Sequence, residues 1–208
     1  MLNQLSNKFI LLVLTVILLI GCKEKSSTLP ILGEPTILGN DTTYPTISNF
    51  KFINQDSNIV TNQTFENKLY IADFIFLSCP TICPKMTKEL YSAYQQFENE
   101  SRVLFISHTI DPERDTIPAL KAYAKNLGVN SNKWHFVTGN QDSIINLSEY
   151  SYFSAAYPDS TSPGGFTHSG GLLLVDKNRH IRGVYNSTNP EETKRLIKDV
   201  KILLNEQF

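Results

Sequence analysis

Cys79 and Cys83 lie four residues apart in Ser78-Cys79-Pro80-Thr81-Ile82-Cys83-Pro84. An apolar run from Ile71 to Leu77, interrupted by Asp73, leads into the pair, and an amphipathic stretch leads out. Pro84 suits the first turn of a helix, where its missing N–H is no loss. The pair is therefore expected where a strand ends and a helix begins. The dipole and free N–H groups of a helix start favour negative charge. A thiol there should ionise readily, and the thiolate is both a nucleophile and a soft-metal ligand. The stretch is thus suited to thiol–disulfide exchange or to soft-metal binding. A purely structural disulfide is the plainer alternative, but a bridge closing so small a loop removes little chain entropy.

Four histidines are available as further ligands. His108 ends an apolar run, His135 sits beside Trp134, and His180 falls in a hairpin turn; these three read as buried or surface histidines. His168 follows the loop Pro163-Gly164-Gly165-Phe166-Thr167 and directly precedes the next strand. Asp73, six residues before Cys79, either pairs with a buried polar group or, with a burial-raised pKa, handles a proton for the thiols. Asp111-Pro112-Glu113-Arg114-Asp115-Thr116 reads as a polar turn with Thr116 as a helix cap; its acids could instead dock a partner or sit behind a metal site. Trp134, Phe153 and Tyr157 read as core or rim.

The elements that must position these residues follow from periodicity. Ile47 to Ile53 and Ile59-Val60 form a small hairpin, and Leu69 to Leu77 a buried strand. Pro84 to about Glu98 is a helix with Met86, Leu90, Ala93, Tyr94 and Phe97 inward. Val103 to Ser107 is a strand, and a helix ends at Leu127 before Gly128. A short strand at Trp134 to Thr138 precedes a short helix from 141 to about 151, and Ser160 to Gly165 is a loop. Gly171 to Val175 and His180 to Tyr185 form a second hairpin. Asn189-Pro190-Glu191-Glu192 then opens the closing helix, with Leu196, Val200 and Leu203 inward. This order gives a three-layer α/β domain.

The remaining cysteine, Cys22, ends the apolar run Phe9 to Ile20 in Leu19-Ile20-Gly21-Cys22. The run is short for a membrane span and reads as a signal-peptide core over residues 1–21. Leu-Ile-Gly-Cys resembles the bacterial lipobox, in which the cysteine is lipidated; small Gly21 favours this over a plain membrane anchor. Residues 22–43 read as a lipidated tether, and 44–208 as one exported domain anchored outside the cytoplasm, on the periplasmic side if there is an outer membrane. A Cys79–Cys83 disulfide is permitted there, and a reduced pair would need a reductase partner or a bound metal. A formal net charge of −1 without a basic patch gives nucleic-acid binding no support.

Cys-Pro-x-x-Cys-Pro after an apolar strand, then Asp111 to Thr116, then His168-Ser169 before a hairpin strand, resembles the Sco/SenC copper proteins. The resemblance runs from about residue 44 to the end. It implies a thioredoxin-like fold with an N-terminal hairpin extension, a role in cytochrome c oxidase assembly, and Cys79, Cys83 and His168 as ligands of Cu(I) or Cu(II). Two soft thiolates and an imidazole suit copper; a structural zinc site would want a fourth ligand. Thioredoxin-like oxidoreductases place a cis-proline where Thr167-His168 stands, and carry a buried aspartate at the spacing of Asp73. Two residues depart from the family pattern: Thr167 replaces an aspartate before the histidine, and a proline is displaced to Pro118. The reading reached is a membrane-anchored copper metallochaperone, rather than a turnover enzyme, that serves the binuclear copper site of an oxidase subunit. The alternative is a thiol–disulfide reductase using Cys79, Cys83 and Asp73.

Overall fold

The protein is described by a computed structural model covering residues 28–80 and 82–208. The stretch read as a signal peptide, and Cys22, lie outside the described residues. Among those described, no helix is long and apolar enough to cross a membrane.

A seven-stranded sheet forms the centre. Its strands are β3 (Lys51–Asn54), β4 (Ile59–Thr61), β5 (Leu69–Ile75), β6 (Val103–Thr109), β7 (Trp134–Thr138), β10 (Gly171–Val175) and β11 (Ile181–Asn186), in the order β11-β10-β5-β6-β7-β3-β4. β5, β6 and β7 run parallel, while β10 joins β5 and β3 joins β7 antiparallel. β5 and β6 are buried at every position, as strands covered on both faces must be. The early hairpin, β3–β4, extends the sheet beyond β7.

Four helices are described: α1 (Cys83–Phe97), α2 (Ile117–Leu127), α3 (Gln141–Tyr150) and α4 (Pro190–Gln207). α1 buries Met86, Leu90, Ala93, Tyr94 and Phe97, and α4 buries Leu196, Val200 and Leu203, as their periodicity implies. α1, α2 and α4 share one face of the sheet. Thr87 of α1 bonds Tyr123 of α2 at 2.8 Å, and Thr193 of α4 donates to Glu89 of α1 at 2.6 Å. On the other face, Tyr152 after α3 reaches Tyr70 at 3.1 Å and packs edge-on to Phe74. The result is the expected thioredoxin-like three-layer domain.

Asn189 caps α4 by accepting from the Glu191 N–H at 3.0 Å. Gly128 closes α2 at φ 69°, a conformation that favours glycine. Thr116 stands at the N-cap of α2 but its side chain makes no capping bond, contrary to the sequence reading.

Two hairpins were not anticipated. β1 (Thr36–Leu38) and β2 (Asp41–Thr43) form an exposed hairpin within the stretch read as tether. Just before it, Leu29 and Leu32 pack on the core, and the Leu32 N–H donates to Ile181 O at 2.8 Å. Buried Arg182 holds this segment through the carbonyls of Leu29 (2.5 Å) and Pro30 (3.1 Å), while pairing with Asp176 and Glu206. Part of the expected tether is therefore fixed to the domain. The second addition is a two-stranded hairpin, β8 (Ala156–Pro158) with β9 (Phe166–His168), standing outside the main sheet and flanking the expected 160–165 loop.

Candidate metal centre

The C-terminal end of β5 delivers Leu77 and then Cys79. Cys79 lies in the loop before α1, and Cys83 is the first residue of α1, so the pair spans the strand-to-helix junction at which the sequence placed it. The Cys83 N–H points to Cys79 Sγ at 3.5 Å, a use of a free helix-start N–H on sulfur. Both side chains are buried, and no disulfide joins them. β9 brings His168 from the other side, with Nε2 3.4 Å from Cys83 Sγ. One donor atom from each of Cys79, Cys83 and His168 falls within 4.8 Å of the others.

Electrostatics at the pair differ from the sequence expectation. Burial pushes the Cys83 thiol up, and the Phe76 backbone N–H pulls it down without winning; neighbouring Cys79 and, least of all, the charge of Asp73 add to the rise. Helix-start stabilisation is thus outweighed by desolvation. A buried thiol that holds its proton gives it up to a soft cation, which replaces the proton's charge and supplies a bond. Burial also holds the His168 imidazole below the ordinary histidine pKa, against a smaller opposing pull from the Ser169 backbone. The ring is therefore neutral, the form that ligates metals.

The shell behind His168 shows what the threonine departure does. Thr167 Oγ1 donates to Asp159 at 2.9 Å and meets Ser162 Oγ at 2.7 Å. It is engaged in its own loop, and His168 Nδ1 is buried with no hydrogen-bond partner. The ring is instead set by packing, edge-on to Phe76 with centroids 5.6 Å apart. Phe76 also packs on Phe166 and lies so close to Gly164 that a Cβ there would fall 2.5 Å from the ring. Gly164, at φ 86°, thus meets both a conformational and a steric demand.

Asp73 lies beneath the pair on the helix-covered face. Its Oδ1 accepts from Ser107 Oγ at 2.5 Å, and Ser107 Oγ in turn accepts from Trp134 Nε1 at 2.9 Å. Burial raises the carboxyl to about 7, with the Ser107 bond opposing. The aspartate has the buried polar partner considered from sequence, and it also acts on Cys83 by charge. Trp134 is core, whereas Phe153 and Tyr157 are exposed.

The other histidines are elsewhere. His108 is enclosed by Phe50, Phe52, Phe74 and Tyr152; His135 meets Asn54 at 3.3 Å, and His180 meets the Pro45 carbonyl at 3.1 Å. Sequence reasoning missed Phe76 and the use made of Asp115. Asp115 Oδ2 accepts from the Leu77 N–H at 3.0 Å and from Thr109 Oγ1 at 2.5 Å. The signal was present in the Asp111–Thr116 motif, but its acids read most simply as turn formers.

Two soft sulfurs and one imidazole, converging in a largely buried site, fit a thiophilic ion of low coordination number. The family model SCO1/SenC matches residues 39–205. A curated relative, the SCO1 protein homolog of Bacillus subtilis, is 31% identical over 153 residues, spanning 73% of this chain and 79% of the relative. The structure of a SCO1/SenC family lipoprotein from Bacillus anthracis superposes with a TM-score of 0.70 at 26% identity, covering 76% of this chain and 95% of the other. BsSco, described as a member of the Sco family of cytochrome c oxidase assembly proteins with a disulfide switch, superposes with a TM-score of 0.66 at 29% identity, covering 76% and 93%. With the family model matched over most of its length and its thiol pair and histidine gathered in one place, this chain belongs to the SCO1/SenC family.

Proposed function

We propose that this protein binds copper through Cys79, Cys83 and His168 and passes it to the binuclear copper site of a cytochrome c oxidase subunit. The observation that carries the reading is the convergence of the three donor atoms within 4.8 Å. Copper is the cargo. The thiols exclude hard cations, and two sulfurs plus one nitrogen favour Cu(I) over four-coordinate zinc. His168 gives the site a ligand that also suits Cu(II).

The protein is exported, with Cys22 lipidated and the domain held at a membrane outside the cytoplasm. The lipobox resemblance supports this, as does the description of the Bacillus anthracis relative as a lipoprotein. Cys22→Ser should leave an unprocessed or displaced precursor; lipid labelling that persists in that variant removes the anchor reading.

A second reading has its own observation. Asp73, raised to about 7 and charge-coupled to Cys83, is placed to handle a proton during disulfide exchange. On this reading the Cys79–Cys83 pair reduces the cysteines of the oxidase copper site and is left as a disulfide. Metal analysis of the full-length chain in detergent, with its thiols reduced, tests the copper reading. One Cu(I) retained against equimolar Zn(II) is expected, and zinc displacing it would overturn copper delivery.

A further inference from the structure

The ligands arrive on two supports of different kinds. Cys79 and Cys83 are joined to the central sheet and to α1. His168 rides on the β8–β9 hairpin, which is not part of that sheet. Between the two supports lies the loop after β6, and two consecutive residues of that loop reach in opposite directions.

Asp115 reaches toward the cysteines. Its carboxylate takes the Leu77 N–H, two residues before Cys79, and the Thr109 hydroxyl at the end of β6. It is almost fully buried. Arg114 reaches toward the hairpin. Its Nη2 donates to Gly164 O at 2.9 Å, and its guanidinium lies 5.8 Å from the Phe166 ring. Asp111 pairs with Arg114 Nε and so holds the guanidinium from the loop side. Phe166 packs on Phe76, and Phe76 packs on His168, so the grip on the hairpin tip is passed to the imidazole.

We infer that Arg114 and Asp115 are positioning residues that clamp the histidine-bearing hairpin against the cysteine-bearing loop, building the three-ligand site before the metal arrives. The inference rests on the copper reading for its use, but the clamp is a property of the metal-free chain. Asp115 is the fixed jaw, because it is buried and bonded to two backbone-anchored elements. Arg114 is the latch, because its side chain is half exposed and its partners belong to the hairpin. With the latch shut, His168 is held 3.4 Å from Cys83. With it open, the hairpin keeps its own β8–β9 pairing and its base on β10, but its tip is freed from the loop after β6 and the imidazole is held beside the thiols by Phe76 packing alone. A ligand held in place costs less ordering when the ion binds, so the latch strengthens nitrogen ligation and slows release.

The test uses the full-length chain carrying Arg114→Gln, with Arg114→Lys as the conservative partner. In the reduced, metal-free state, amide hydrogen exchange over residues 156–170 should rise at least tenfold in Arg114→Gln, with β5 and β6 unchanged. Arg114→Lys should fall between the two. With Cu(II) as the probe, affinity should fall by about 10- to 100-fold, the usual cost of losing an outer partner of a ligand, and the thiolate-to-copper absorption should shift. Cu(I) binding should fall less, since the thiolates are untouched. Unchanged exchange in the hairpin overturns the clamp. Faster exchange with an unaltered copper spectrum and affinity overturns its role at the ligands. If the wild-type chain binds no copper, the functional reading fails, while the exchange measurement still decides the clamp.

Discussion

His168 and His108 make a useful pair. Both imidazoles have buried nitrogens without hydrogen bonds, and burial holds both below the ordinary histidine pKa, His108 at about 3. They lie in different settings. His108, fully buried, is stacked on Phe74 with centroids 5.1 Å apart and boxed by Phe50, Phe52 and Tyr152. His168 is 3.4 Å from a thiol. A perturbed pKa is therefore no mark of a working site in this protein. The mark is convergence of donors of matched softness, which one histidine has and the other lacks.

Substitutions can break or sharpen that contrast. The largest effect is expected from Cys83→Ser. A hydroxyl in place of a buried thiolate should reduce bound copper from one equivalent to none by metal analysis, and retention of tightly bound copper would show that the ion sits elsewhere. His168→Ala should come next. It should lower Cu(II) affinity by more than the 10- to 100-fold, approximately, that an outer partner costs. It should leave reduction of a model disulfide near the wild-type rate, because the imidazole has no required part in thiolate attack. Restored Cu(II) binding with added free imidazole would sharpen the assignment, and an unchanged Cu(II) spectrum would end it.

Asp73→Asn and His108→Phe should have smaller and opposite effects, read in the pH dependence of unfolding. The folded carboxyl of Asp73 stands at about 7 against an ordinary 3.8, so the folded state holds a proton that the unfolded chain releases. The stability this confers is complete below pH 3.8 and is lost as pH rises toward 7. Asp73→Asn should remove that decline while sparing copper binding; slower disulfide exchange in the same variant would favour the reductase reading. His108 has the reverse sign. Its folded pKa of about 3, against 6.5, makes stability fall as pH drops from 6.5 toward 3. His108→Phe should flatten the acid side of a denaturant-midpoint profile and leave copper affinity unchanged. A loss of copper affinity in His108→Phe would erase the distinction between the two histidines.

Much of the fold was legible because its helices and buried strands write their periods plainly. α1 and α4 bury the residues that recur at helical spacing, and Gly128 and Asn189 mark ends that side-chain chemistry dictates. The Cys79, Cys83 and His168 group was reached through spacing and family resemblance, and the structure gathers those residues. The rise in the thiol pKa was not legible, since burial is a property of the assembled core and overrides the helix start. β8–β9 escaped notice because three-residue strands carry no usable alternation. The actual work of Asp115 was hidden for a related reason. A carboxylate in a polar turn looks like a cap until the tertiary partner, here the Leu77 N–H, is known.

The docking of Leu29 and Leu32 bears on how the molecule stands. They meet the domain where β10 ends and β11 begins, through Arg182 and the Ile181 carbonyl. The proposed copper ligands lie at the other end of the same sheet, where β5 finishes and β10 starts. From position 22 to position 29 the chain advances only seven residues, a reach of about 25 Å when fully drawn out. With Cys22 acylated as proposed, the domain is a short-stemmed post rather than a float on a long line. Its foot would then be at the lipid and its proposed cargo at the crown, with the length of β5, roughly 20 Å, between them. A recipient is then met at a set height above the bilayer, so lengthening or shortening the stem should change which recipients can be served without altering how tightly copper is held.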